Sequence, residues 1–249
     1  MSKIYEIEYA CINARGRVRD ANQDNFYAEG YYRCGKEKNN DQRVSGVIKS
    51  DENKILAVYD GMGGESCGDM ASLISSRATA DYDGKSGDGE DFLNEMCLTL
   101  NSLVCEFAQS KQIRCTGSTA AIIRFCADNL YCCNLGDSSV FRITKSGIVK
   151  ISEDHVVKNF PRKKAPLTQF IGMPTDEIMM VPYITKHDYE EGVMYLLCSD
   201  GITDMVPEDE IFSIVTSEGT VSEKTQKLVD KAMLNGGIDN ITALICLTK

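Results

Sequence analysis

Apolar residues in this chain come in short runs bounded by glycine and aspartate, with two longer stretches of helical spacing between them. The run Lys54-Ile55-Leu56-Ala57-Val58-Tyr59 is continuous and short, which predicts a strand covered on both faces. It stops at Asp60, and glycines at 61, 63 and 64 follow, where a missing Cβ lets the backbone turn sharply. Taken alone, an Asp-Gly pair at a strand end is more often a turn than a site. Residues 4–12 alternate between Ile4, Glu6, Glu8 and Tyr5, Ile7, Tyr9, so they predict an opening strand with one solvated face. A polar loop over 16–24 precedes a second short strand at 26–29. The polar stretch 33–53 reads as a surface excursion with a minor strand at 43–49.

Helical spacing predicts one helix over 67–82, with Met70, Leu73 and Ile74 inward, and a longer one over 90–112, where Leu93, Met96, Leu100, Leu103 and Phe107 form an apolar stripe. Two hairpins follow, 117–125 with 130–135 and 140–144 with 148–151. From 152 to about 188 the pattern dissolves. Four of the chain's five prolines fall there, and the expectation is a loop-rich flap carrying the basic cluster Lys158, Arg162, Lys163 and Lys164. A buried strand at 193–198, helices at 207–216 and 222–235, and a closing strand at 241–247 complete the chain, which shows no internal repeat.

Composition narrows the function classes. The 27 basic and 37 acidic residues give a net charge of −10, which argues against a nucleic-acid footprint. Eleven cysteines, an odd number with no Cys-x-x-Cys pair, lie partly in apolar runs, and the N-terminus carries no secretion pattern. These features predict core thiols and a cytoplasmic, reducing compartment. With two histidines, a Cys/His zinc site does not fit, and no apolar run approaches the roughly 20 residues of a membrane span.

Four aspartates, Asp60, Asp137, Asp200 and Asp239, each sit at the end or just before the start of an apolar strand. If those ends converge, the carboxylates repel, and protons or divalent cations must neutralise them. Oxygen ligands of this kind suit magnesium or manganese, and a pair of such ions is a common device for attack of an activated water on phosphorus.

The motifs Arg19-x-x-Asn22-Gln23-Asp24, Asp60-Gly61-Met62-Gly63-Gly64, Gly117-Ser118-Thr119-Ala120, Asn134-x-Gly136-Asp137-Ser138, Cys198-Ser199-Asp200-Gly201-Ile202 and Asp239-Asn240-Ile241-Thr242 occur in this order. Together they resemble the metal-dependent protein phosphatases of type 2C, in particular the bacterial branch, and the resemblance spans nearly the whole chain. It implies an α+β fold: a central β-sandwich of two antiparallel sheets flanked by α-helices on both sides, as one catalytic domain over 1–249 with a flap at about 152–188. The implied activity is hydrolysis of phosphoserine and phosphothreonine by direct attack of a metal-activated water at a two-metal centre.

The resemblance also assigns residues. Asp60 would bridge two manganese or magnesium ions, the Gly61 carbonyl would ligate one, Asp200 and Asp239 would hold the first, and Asp24 would serve the second. Asp137 and Asp204, with Asp200, match the positions of a third, weaker ion, while Thr119 and Asn240 would support the ligands. Arg19 would bind the substrate phosphate as a charged fork. Implied partners are phosphorylated proteins and a cognate Ser/Thr kinase, with the chain a monomer and neither nucleic acid nor membrane involved. Two departures stand out. Ser139 replaces a usual arginine, and Met62 cannot donate a proton, which leaves a metal-bound water as the preferred acid and His155 as a weaker one. Two rivals stay open: a catalytically silent pseudophosphatase acting as a binding module, and a two-metal enzyme acting on phosphodiesters or small phosphorylated metabolites.

Overall fold

The continuous apolar runs form strands because layers cover them on both sides. The computed structural model describes residues 3–34, 41–63, 67–161, 164–174 and 179–249, so Gly64, Arg162, Lys163 and part of the polar excursion (35–40) lie outside the described residues. The first half contains β1 (Glu6–Ala14), β2 (Asp24–Ala28), β3 (Gln42–Lys49), β4 (Ile55–Met62), α1 (Gly68–Thr79), α2 (Gly89–Ser110), β5 (Gly117–Ser118) and β6 (Ala120–Phe125). The second half contains β7 (Asn129–Leu135), β8 (Ser139–Thr144), β9 (Gly147–Lys150), β10 (Tyr183–Asp188), β11 (Met194–Cys198), α3 (Asp200–Thr203), α4 (Glu208–Thr216), α5 (Val221–Leu234) and β12 (Ile241–Thr248).

The strands form two antiparallel sheets, ordered β3-β1-β12-β11-β8-β9 and β10-β7-β6-β4-β2, with β5 beside β4. Between them lies a core that includes Ile7, Tyr9, Phe26, Leu56, Val58, Ile123, Leu197 and Leu244. Strand β4 shows why its run is unbroken. Leu56 and Val58 point between the sheets, whereas Ala57 and Tyr59 pack with Leu93 and Leu100 of α2 on the outside. On the opposite outer face Ile12, Leu196 and Ile245 pack with Ile211 of α4 and Leu228 of α5. The architecture is therefore an α+β sandwich with helices on both outer faces.

Three local expectations differ from what the fold shows. The outer face of β1 is not solvated beyond its start, because Ala10, Ile12 and Ala14 pack in one cluster with Leu228 and Val229 of α5. The proline-rich stretch ends in a strand, since Tyr183–Asp188 pairs with β7 at the sheet edge. An edge position leaves one side of the ladder unused, so Pro182 just before it does no harm. A single-turn helix, α3, begins at Asp200, where the sequence reading gave only the end of a strand.

Leu197 is fully buried between the sheets. Leu197→Ala is expected to cost about 2–5 kcal/mol, read as a lower urea midpoint with an unchanged m-value; an unshifted midpoint would contradict the core placement.

Candidate active site

Strand register brings the aspartates together. Asp24 opens β2 and stands directly opposite Asp60 near the end of β4. The start of β12 lies beside the end of β11, and the end of β11 beside the start of β8. Asp239 before β12, Asp200 after β11 and Asp137 before β8 therefore meet at one edge of the sandwich. The helix that follows adds Asp204, whose N–H donates to the Asp200 carbonyl at 2.8 Å.

Close backbone approaches fix these loops. A Cβ on Gly61 would lie 2.1 Å from the Gly68 carbonyl oxygen at the start of α1, and one on Gly201 would lie 1.9 Å from the Asn240 carbonyl oxygen. No other residue fits either position without moving backbone. Thr119 braces β4, accepting from the Asp60 N–H at 3.0 Å and donating its own N–H to the Asp60 carbonyl at 2.8 Å. Asn240 pins the loop before β2, accepting from the Gln23 N–H and donating to the Arg15 and Ala21 carbonyls.

Each carboxylate has a distinct set of contacts. One Asp24 oxygen accepts from the hydroxyls of Ser199 and Thr242, both at 2.7 Å. Thr242 in turn accepts from Asn13, which accepts from Asn22, so a buried polar chain orients Asp24. Asp239 Oδ2 accepts from Arg19 at 2.6 Å. Lys164 Nζ lies 2.5 Å from Asp200 Oδ2 and 3.8 Å from Asp239 Oδ2. The other Asp200 oxygen is buried with no hydrogen-bond partner.

Burial and mutual repulsion raise the proton affinity of three of these carboxyls. The Asp24 carboxyl is pushed up to about 7 by burial and by Asp200 and Asp239, against the lowering effect of its two hydroxyl donors. Asp60 is raised well above the ordinary range by burial and then by Asp24, Asp200 and Asp137. Asp137 rises to about 6, from burial first and Asp200 second.

Arg19, Asp137, Lys164, Asp200, Asp204 and Asp239 line one cavity of about 550 Å³. Asp24 and Asp60 do not form its walls; they face each other across β2 and β4 beside it. Among the described residues no three acidic, His or Cys side chains draw in around a common point. The site nonetheless suits a hard cation in its donor set. It consists of carboxylate oxygens, one of them buried and unpartnered, and the chain's own ammonium sits on Asp200 where such an ion would compensate charge.

Sequence reasoning placed Arg19, Asp24, Asp60, Gly61, Asp137, Asp200, Asp204 and Asp239 in these loops, with Thr119 and Asn240 as supports, but gave no role to three other residues that contact them. Ser199 and Thr242 lay inside quoted motifs without a role, and Lys164 lay in a basic cluster that reads equally as a solvated loop. His155 has a buried, unpartnered Nδ1 and is not part of the cavity wall; burial lowers its pKa.

A four-layer sandwich with a carboxylate-lined cavity at one edge of its sheets places the chemistry in the loops rather than in the layers, as in a class of proteins whose function lies in the site. Within that class the chain belongs to the protein phosphatase 2C family, whose model matches residues 29–234. A serine/threonine phosphatase, stp, of Listeria monocytogenes is 28% identical over 93% of this chain and 92% of its own length. Two solved structures share the fold. The catalytic domain of the serine/threonine protein phosphatase PstP in complex with two manganese ions has a TM-score of 0.80 at 24% identity, covering 99% of each chain. PppA of Pseudomonas aeruginosa has a TM-score of 0.82 at 21% identity, covering 99% of this chain and 100% of that one.

A carboxyl whose folded value lies above its unfolded value of about 3.9 holds a proton that unfolding releases, so its penalty is absent below about pH 4 and complete above the raised value. With Asp24 at about 7 and Asp137 at about 6, the chelator-treated protein is expected to lose stability as pH rises through 4–7. Thermal midpoints between pH 5 and pH 8 test this, and Asp24→Asn should flatten the trend. A midpoint that climbs over that interval would contradict it.

Proposed function

We propose that this chain is a protein serine/threonine phosphatase that uses a pair of manganese or magnesium ions, with phosphorylated proteins as substrates. The observation that carries the reading is the facing pair Asp24 and Asp60 beside Asp137, Asp200 and Asp239, a carboxylate set that needs cations, in a chain of this family. Asp60 would serve both ions, with Asp200 and Asp239 holding the first, Asp24 serving the second and the Gly61 carbonyl ligating one of them. Asp137 and Asp204 would hold a weaker third with Asp200. When bound, the ions supply a nucleophile at neutral pH and charge stabilisation for the phosphoryl group.

The chain's own residues prepare the rest. Arg19 lines the cavity and presents a planar fork suited to two phosphate oxygens; its ion pair with Asp239 keeps it there without substrate. Ser199 and Thr242 both hold the same oxygen of Asp24, which orients the carboxylate. Lys164 must leave Asp200 for that carboxylate to serve an ion. The same reading takes 1–249 as one catalytic domain, with a flap from about 152 to the start of β10, acting as a monomer opposite a Ser/Thr kinase in the cytoplasm. The odd cysteine count, with six of the eleven buried in the apolar core, supports a reducing compartment. Among the described residues no helix is long and apolar enough to cross a membrane. A silent pseudophosphatase finds no support, since no aspartate of the set is missing.

Release of phosphate from phosphoserine and phosphothreonine peptides should require manganese or magnesium and disappear in chelator. Asp60→Asn and Asp239→Asn should each lower kcat by at least about 100-fold, the scale of several kcal/mol of charge stabilisation. Full activity in both variants would overturn the reading, and faster turnover of small phosphate esters than of any peptide would redirect it. Arg19→Ala should raise KM by about 10-fold, as expected for one charged hydrogen-bonding group. Removing the competing ammonium by Lys164→Ala should tighten manganese binding in a calorimetric titration.

A further inference from the structure

Behind Asp24 lies a buried cation that belongs to no catalytic motif. Arg33 is 2% exposed, and Nε and Nη2 both donate to the Asp24 carbonyl, at 3.1 and 2.9 Å. Nη2 also donates to the Asn22 carbonyl at 2.6 Å. The residue between, Gln23, has its carbonyl held by the Gly61 N–H at 3.1 Å and the Ser72 hydroxyl at 2.6 Å. Every carbonyl from Asn22 to Asp24 is therefore held by a residue outside β2.

The clamp is itself locked. The Arg33 N–H donates to Asn25 Oδ1 at 2.9 Å, and the Arg33 carbonyl accepts from Asn25 Nδ2 at 3.0 Å. Asn25 is buried next to Asp24 on β2, so the arginine is tied to the strand it holds. Among the described residues its guanidinium donates to carbonyls, although burying a guanidinium against neutral acceptors is costly. Burial lowers its pKa while the charges of Asp24 and Asp69 raise it. A lysine could supply the charge but not the fork that spans two carbonyls.

We infer that Arg33 is a positioning residue for the second metal ion: its guanidinium fixes the 22–24 backbone so that the Asp24 carboxylate is held at the ion beside Asp60. This rests on the phosphatase reading, with Asp24 serving that ion. Arg33 touches neither ion nor substrate and acts through Asp24. Residues that orient a ligand typically change metal affinity by about 10–100-fold when removed.

Manganese titration of the full chain by calorimetry, with kcat as a function of manganese and a thermal melt, separates the alternatives for Arg33→Lys and Arg33→Met. Both variants should weaken one of the two manganese events by about 10–100-fold and leave the other within about twofold, with kcat restored at saturating manganese. Asp24→Asn should weaken the same event. If both variants melt lower yet bind manganese as the wild type does, Arg33 is structural only and the inference fails. It fails equally if Arg33→Met tightens binding while Arg33→Lys does not, because that pattern marks charge compensation without a clamp. Should Arg33→Met not fold, Asn25→Ser, which frees the arginine backbone and spares the guanidinium, should give the same selective loss at smaller size. A wild type that takes up no manganese removes the phosphatase reading itself, and the inference with it.

Discussion

Two carboxyl groups directly opposite each other on neighbouring strands, one buried and the other half-buried, cannot both carry full charge unless something positive stands near. Asp24 and Asp60 are placed that way by the pairing of β2 with β4, and Asp137, Asp200 and Asp239 add to the same repulsion. Raised proton affinity, the ammonium of Lys164 and the fork of Arg19 each relieve part of it. The loops around the cavity are shaped by how the chain tolerates this concentration of negative charge.

The sandwich supplies the rigidity that makes such crowding sustainable. Its two sheets and outer helices bury nearly every side chain on β4, β6, β11 and β12, so the strand ends cannot spread to relieve repulsion. Polar order continues that stiffness inward. Asn13, Asn22, Ser199 and Thr242 satisfy one another and Asp24 in a single network, which is stable because its members are partnered.

Much of this was legible in the sequence wherever a period or a repeated punctuation carried it. Unbroken apolar runs marked β4 and β11, and aspartates recurring at their ends marked the site. What escaped had no period to read. Arg33, Ser199 and Thr242 are single polar residues whose roles depend on partners up to hundreds of positions away. Strand β10 was masked by nearby prolines, whose cost vanishes at a sheet edge, and α3 is too short to show helical spacing. The covered face of β1 had a visible signal in Ala10-Cys11-Ile12, where alternation gives way to apolar residues on both faces.

The contacts at Gly61 and Gly201 set main chain against main chain, with no side chain between the loops that carry the aspartates. Distances across the cluster are then determined by peptide geometry, which every sequence shares, and are insulated from changes in the size of surrounding residues. Such a site can keep its dimensions while most of the chain drifts, and at 28% identity to a relative matched over nearly its whole length, most of this chain has done so. The tolerance ends at those two glycines, where a single methyl group would push whole loops apart.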